Sequence, residues 1–186
     1  MSERIIKQHN QISRAIDLIR RGYRTKIVYL ETGVPQAKIR SIHKELFGRS
    51  PWSGQLPEAE RILNTRVRAI DASLLIHLYR KVYHLKAEAQ IDIDALSMAH
   101  DAYKSLREEW GMVSARDPID VNEAWVLARD LRSRHLVTSV CPTCGFHYVW
   151  SVTQERTPSC PTCSLSAESR RSSEKNHILD GHVIGA

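Results

Sequence analysis

The stretch "CPTCGFHYVWSVTQERTPSCPTC", Cys141 to Cys163, holds all four cysteines of this 186-residue chain. They form two C-x2-C pairs separated by fifteen residues. Two residues between thiolates let the backbone turn sharply, so both sulfurs of a pair aim at one ion and the amides of the turn offset their charge. Two such knuckles complete a tetrahedron with metal–sulfur bonds of about 2.3 Å. Between the knuckles, "FHYVWSV" alternates Phe146, Tyr148 and Trp150 against His147, Val149 and Ser151, as a strand does. "TQERTP" then turns the chain back. The spacing predicts a zinc ribbon with one structural Zn2+ per chain, bound by Cys141, Cys144, Cys160 and Cys163. Iron in a rubredoxin-like site shares this geometry, whereas a redox pair lacks its βαβ context. His147 reads as an ordinary strand histidine. Four protein ligands leave no open position for water, which argues against a catalytic metal. The ion would fold a segment too small to fold alone, through binding worth on the order of 10 kcal/mol.

The rest of the chain reads as helical. Hydrophobic residues make up 42% of it, enough for a core, while aromatics are only 6% and Gly and Pro are sparse. Its longest apolar runs, such as Ser73–Ile76 and Ala124–Ala128, fall far short of the roughly 20 residues that span a bilayer. "MSERIIKQHN" lacks the apolar run of a secretory signal, so the expectation is a cytoplasmic protein without a membrane partner. In a reducing compartment, paired cysteines are metal ligands more often than disulfides.

Charge divides the chain unevenly. Residues 1–49 hold eleven Lys and Arg against four acids, a local +7 in a protein of net +6, so the remainder is slightly negative. A basic end on a near-neutral body is a candidate surface for a polyanion; a solvated cationic helix surface has the same composition.

Helical spacing recurs through the body. Residues 2–21 place Ile5, Ile12, Ile16 and Ile19 on one stripe, with Ser2 as cap and Gly22 as stop. "GRSPWSGQLP" (48–57) is a connector. A long helical stretch from Glu58, broken once, offers Ile70, Leu74, Leu78 and Val82 as a core face. The next helix offers Leu96, Ala99, Tyr103, Leu106 and Trp110, with Gly111 as its stop. Asp120 and Glu123 fit a capping box. The fold expected is mainly α: a helical domain over 1–136, a zinc ribbon over 137–167 and a flexible tail over 168–186.

Within the basic end, "TKIVYLETGVPQAKIRSIHK" fits a helix-turn-helix register near 24–47. Val28 and Thr32 face inward, Gly33 makes the turn, and Val34, Ile39 and Ile42 anchor the second helix. Pro35 suits that helix's first turn. Gln36, Lys38, Arg40, Ser41 and Lys44 are left on the outer side as candidate DNA contacts, with Ala37 among them. A glutamine pairs with adenine and an arginine with guanine, while Lys and Ser suit phosphates. Tyr29 occupies the position where the helices are expected to cross and a small residue is usual. A plain helical hairpin satisfies the same short pattern; the local charge favours DNA.

"LIRRGYRTKIVYLETGVPQAKIRSIHKELFGRSPWSGQLP" (Leu18–Pro57) resembles FlhC, the bacterial flagellar transcriptional activator family, most specifically in "KELFGRSPWSGQLP". "AWVLARDLRSRHL" (Ala124–Leu136), which leads into the cysteines, continues the likeness. The resemblance implies a mostly helical protein whose four cysteines, Cys141, Cys144, Cys160 and Cys163, bind zinc. It also implies a hetero-oligomer with an FlhD-like subunit, binding to double-stranded promoter DNA and recruitment of RNA polymerase to flagellar genes. Arg156, Arg170, Arg171 and Lys175 are weaker candidate phosphate contacts.

The alternative reading is a zinc-stapled, helical protein-interaction adaptor without direct sequence-specific DNA contact. An enzyme is not expected. No nucleophilic triad, glycine-rich phosphate loop or open metal site is legible, and His77, His84 and His100 read as partly buried helix residues.

Overall fold

The computed structural model describes residues 2–83, 90–111, 118–154 and 159–167. Among them the chain is mainly helical, with one two-stranded sheet. The elements are α1 (Ser2–Arg20), α2 (Thr25–Thr32), α3 (Gln36–Phe47), α4 (Ala59–Ile62), α5 (Arg66–Tyr83), α6 (Ile93–Glu109), α7 (Val121–Arg132), β1 (Leu136–Val140) and β2 (His147–Ser151). A last helix, α8, covers residues 161–167.

Glycine sets the first two turns. Gly22 takes φ 91 after α1, and the Gly22 and Tyr23 amides donate to the carbonyls of Ile19 and Leu18. Gly33 takes φ 70 after α2 and donates to the Tyr29 carbonyl at 2.9 Å. Only a residue without a Cβ enters this left-handed region cheaply. Pro35 stands immediately before the first turn of α3, where its lost donor costs nothing.

The centre of the fold is α5, packed against α6 on one side and β2 on the other. Most of its positions are buried or half-buried, polar ones such as Asp71 and Ser73 included, as in a helix covered from two directions. The expected core face of Ile70, Leu74, Leu78 and Val82 is therefore corrected. The deepest positions are Ala72, Leu75, Ile76 and Tyr79; Ile70, Leu74 and Leu78 are half-buried and Val82 is exposed. Asp71 goes inside with them because Arg107 of α6 pairs with it there. Burial pushes the Asp71 carboxyl above its usual range, and the Arg107 charge pulls against that. Arg107 also donates to the Tyr103 hydroxyl, which accepts the Ile119 amide as well, so one polar node joins α5, α6 and the approach to α7.

On α6, Leu96, Ala99 and Tyr103 are buried as expected, but the stripe continues through Arg107, leaving Trp110 exposed. Gly111 follows at φ 65. The capping box of α7 forms as read: Asp120 accepts the Glu123 amide at 2.9 Å, and Glu123 accepts the Asp120 amide at 3.0 Å. On α1, Ile19 is buried and Ile12 and Ile16 are half-buried, but Ile5 is 66% exposed; residues 4–10 all lie at the surface.

The amino-terminal helices are tied to this body by buried and half-buried polar contacts. The Tyr23 hydroxyl meets Ser97 Oγ at 3.0 Å. Asn122, at the start of α7, accepts the Arg24 amide at 2.7 Å and donates to the Gly22 carbonyl. Trp125 donates to Glu31 of α2 at 3.1 Å.

Candidate metal centre and basic helical face

β1 and β2 pair antiparallel, from Leu136 opposite Ser151 to Val140 opposite His147. The expected alternation along β2 is interrupted, because Tyr148 and Val149 are both buried. Each faces its own cluster: Val149 joins the main core, and Tyr148 packs beside Cys141 and Cys160. The Val149 amide donates to Ser73 on α5 at 3.0 Å, fixing the strand to the body.

The first knuckle follows β1. The Gly145 amide donates to the Cys141 carbonyl at 2.9 Å, with Gly145 at φ 70, and the Cys141 amide donates to Phe146 O at 3.0 Å. In the second, the Ser164 amide donates to the Cys160 carbonyl at 3.0 Å as α8 begins. All four Sγ atoms lie within 4.8 Å of one another. Cys141 to Cys163 is 3.8 Å and Cys144 to Cys160 is 3.6 Å. A tetrahedral ion with bonds of about 2.3 Å requires sulfur–sulfur edges of about 3.8 Å. The cysteines thus form a closed cage that can bind a metal ion. His147 stands outside the cluster, its ring 6.0 Å from that of His77.

The four thiols perturb one another. The Cys144 and Thr143 amides draw the Cys141 thiol down to about 6. The Cys144 thiol, together with burial, pushes Cys163 up to about 12. The two shifts run in opposite directions, and a cation bound among the sulfurs would favour their thiolate forms.

At the other end, α2 and α3 pack through Val28, Thr32, Val34, Ile39 and Ile42, all buried. Thr32 donates from Oγ1 to the Val28 carbonyl at 2.6 Å and accepts the Val34 amide at 3.2 Å, closing the turn. Gln36, Lys38, Arg40, Ser41 and Lys44 are all exposed on α3, as is Ala37. Ser41 donates to Glu45 at 3.1 Å, so its hydroxyl has a partner within the helix. Tyr29 is 43% exposed and faces outward rather than filling the helix crossing.

Two neighbours of α3 escape a reading of the helix-turn-helix segment alone. Arg4 and Lys7 of α1 line one groove together with Lys38. The connector 48–57 lies beside Gln36 and Arg40, held by Arg24, which donates to the Gln55 carbonyl at 2.8 Å. Arg4 and Lys7 already counted in the local +7, but which element they would meet depends on how α1 crosses α3. Among the other candidates, His77 is exposed and His100 is buried, bonded to the Ile119 carbonyl at 2.8 Å. His84, Arg156, Arg170, Arg171, Lys175 and the tail 168–186 lie outside the described residues.

The sequence model of the family described as "Flagellar transcriptional activator (FlhC)" matches residues 1–178. The chain belongs to the FlhC family. It is 29% identical over 180 residues to the flagellar transcriptional regulator FlhC of Proteus mirabilis, covering 96% of this chain and 90% of that protein. To the FlhC of Verminephrobacter eiseniae it is 27% identical over 168 residues, covering 90% and 89%. To that of Enterobacter cloacae subsp. cloacae it is 25% identical over 182 residues, covering 97% and 92%. FlhC is a family of transcriptional regulators, so the chain is not an enzyme. No helix among the described residues is long and apolar enough to cross a membrane.

Proposed function

We propose that this FlhC chain is the DNA-binding subunit of a cytoplasmic activator complex at flagellar promoters. In this reading it works with an FlhD-like partner and recruits RNA polymerase, and its cysteines hold one structural zinc ion. The helical body, 1–136, carries the DNA-reading helix, and the ribbon, 137–167, is a metal-stapled part docked on it. One observation carries the DNA reading: α3 presents Gln36, Lys38, Arg40 and Lys44 to solvent from a helix locked behind them by Val34, Ile39 and Ile42. A rigid helix with cations and an amide on its outer side meets the needs of a major-groove reader. Phosphate contacts release counterions, so binding falls steeply as salt rises.

Charge reversal of Lys38, Arg40 and Lys44 together, followed by gel shift on a flagellar promoter fragment, tests this. The reading requires loss of the shifted band; unchanged affinity, or affinity insensitive to salt, overturns it. Elemental analysis of the purified chain tests the metal, with one zinc per chain as the expected result and iron as the contrary one.

The adaptor reading retains support from exposed apolar residues on the first two helices: Ile5 and Ile6 on α1, Tyr29 and Leu30 on α2. Such side chains suit a partner subunit. Pull-down of the partner with and without DNA distinguishes an adaptor from a DNA-binding subunit.

A further inference from the structure

Helix α3 lies between two cation-lined grooves. At 100° per residue, Ile39 and Ile42 mark its buried side and Ala37, Ser41 and Lys44 its outer crest. Lys38 then falls on one flank of that crest, and Gln36 and Arg40 on the other.

On the Lys38 flank, a groove of about 620 Å³ separates α3 from α1, with Arg4, Lys7, Gln8 and Gln11 on its far side. No carboxylate occurs among its described lining residues. On the Gln36 and Arg40 flank, a second groove of about 610 Å³ runs to the 48–57 connector. Lys26 and Trp52 line it, and Glu58 is the single acid among its described lining residues. Trp52 is 75% exposed, and the Arg49 guanidinium lies over its ring, 5.6 Å from the centroid. Two other cations of this groove are engaged in structure: Arg24 with connector carbonyls and Arg129 with Asp130.

We propose that these grooves are the two walls of a phosphate clamp, with Arg4 and Lys7 on one DNA strand's backbone and Lys26 and Arg49 on the other's. The proposal rests on the reading of α3 as the helix that enters the duplex. A helix with its side chains is about 10–12 Å across, and a B-form major groove is about 12 Å wide. A helix seated there turns the far walls of its two grooves towards the two backbones, α1 on one side and the start of α2 with the connector on the other. Cations suffice at the backbones, while Gln36 and Arg40 on α3 itself stay within reach of base edges. The clamp positions the protein on any duplex; the face of α3 supplies the sequence preference. It also gives a role to the exposed start of α1, which the body does not cover.

The test is fluorescence anisotropy of the complex with its partner subunit, on a labelled flagellar promoter duplex and a scrambled duplex, across about 50 to 200 mM salt. Three double variants are compared: Arg4→Gln with Lys7→Gln, Lys26→Gln with Arg49→Gln, and Gln36→Ala with Arg40→Ala. All six positions are exposed, and unchanged helical circular dichroism verifies folding. Each clamp pair is expected to weaken both duplexes by the same factor and to reduce the salt slope by about 0.9 per lost phosphate, hence about 1.8. Over a fourfold salt range the gap between wild type and variant then narrows about twelvefold. The Gln36 and Arg40 pair is expected to abolish promoter preference.

A wild-type slope in Arg4→Gln with Lys7→Gln, beside lost preference in the α3 pair, overturns the clamp and leaves the α3 reading standing. The clamp is equally refuted if its variants erase preference without changing the slope. Full promoter preference in the α3 pair overturns the reading and the clamp together.

Discussion

The three amino-terminal helices and the cysteine ribbon dock on the same body but are held by different physics. In the first, Ile27, Val28, Ile39 and Ile42 are buried in the core that runs through the whole helical part. In the second, the local buried cluster is Cys141, Tyr148 and Cys160, with Phe146, Trp150 and Cys163 half-buried around it. Three of those six residues are cysteines, so a bound metal ion is expected to contribute more to its stability than apolar area does. The comparison teaches that a regulator can present a cationic surface only where the packing behind it is complete without those cations. A small ribbon with so thin a cluster of its own is anchored to the body through Leu136 and Val149, and a bound ion would supply the rest of its order.

The strongest way to break this comparison is to remove the cage. Cys141→Ser with Cys160→Ser is expected to eliminate bound metal and the β1–β2 pairing, lost as the near-ultraviolet signal of Trp150, while far-ultraviolet helicity largely persists. A ribbon that stays ordered without metal would show that the apolar cluster suffices.

A smaller effect is expected from the polar node inside the body. Asp71→Ala strands Arg107 in the interior and should cost about 3–5 kcal/mol in urea unfolding. Replacing both partners, Asp71→Leu with Arg107→Met, should recover most of that loss, because a buried ion pair exchanges nearly evenly with apolar side chains of similar volume. A loss below about 1 kcal/mol in the single variant would mean that water reaches the pair.

The smallest effect sharpens the account of the α2–α3 turn. A Cβ on Gly33 would meet nothing nearer than Gln11 Nε2 at 3.6 Å, so space does not forbid alanine there. The cost of Gly33→Ala is conformational, at φ 70, and should be about 1 kcal/mol by thermal melting. A neutral result would mean that the turn relaxes out of the left-handed region.

What was legible in the sequence follows the range of each signal. The metal cage was readable because its chemistry is written in two short, fixed spacings. The α2–α3 unit was readable because Gly33 and the apolar positions around it are local, and the α7 capping box for the same reason. The core face of α5 was misjudged because periodicity assumes one covered side, whereas β2, far along the chain, covers another. Nor could periodicity foresee Asp71 and Arg107 inside, since each is tolerated there only by the other. Ile5 belonged to an apolar stripe on paper; which half of α1 reaches the body is decided by where α6 and α7 hold the α1–α2 turn. The neighbours of α3, Arg4, Lys7 and the connector, were beyond reach for the same reason: they are set by helix crossings, not by spacing.

The most direct test of two regions held by different forces is hydrogen exchange of the intact chain before and after chelation, read by mass spectrometry. Amides of residues 136–151 and 159–167 should lose protection when the ion is withdrawn, while those of 15–47 keep theirs. Equal loss in both regions, or no loss in the ribbon, would contradict the account.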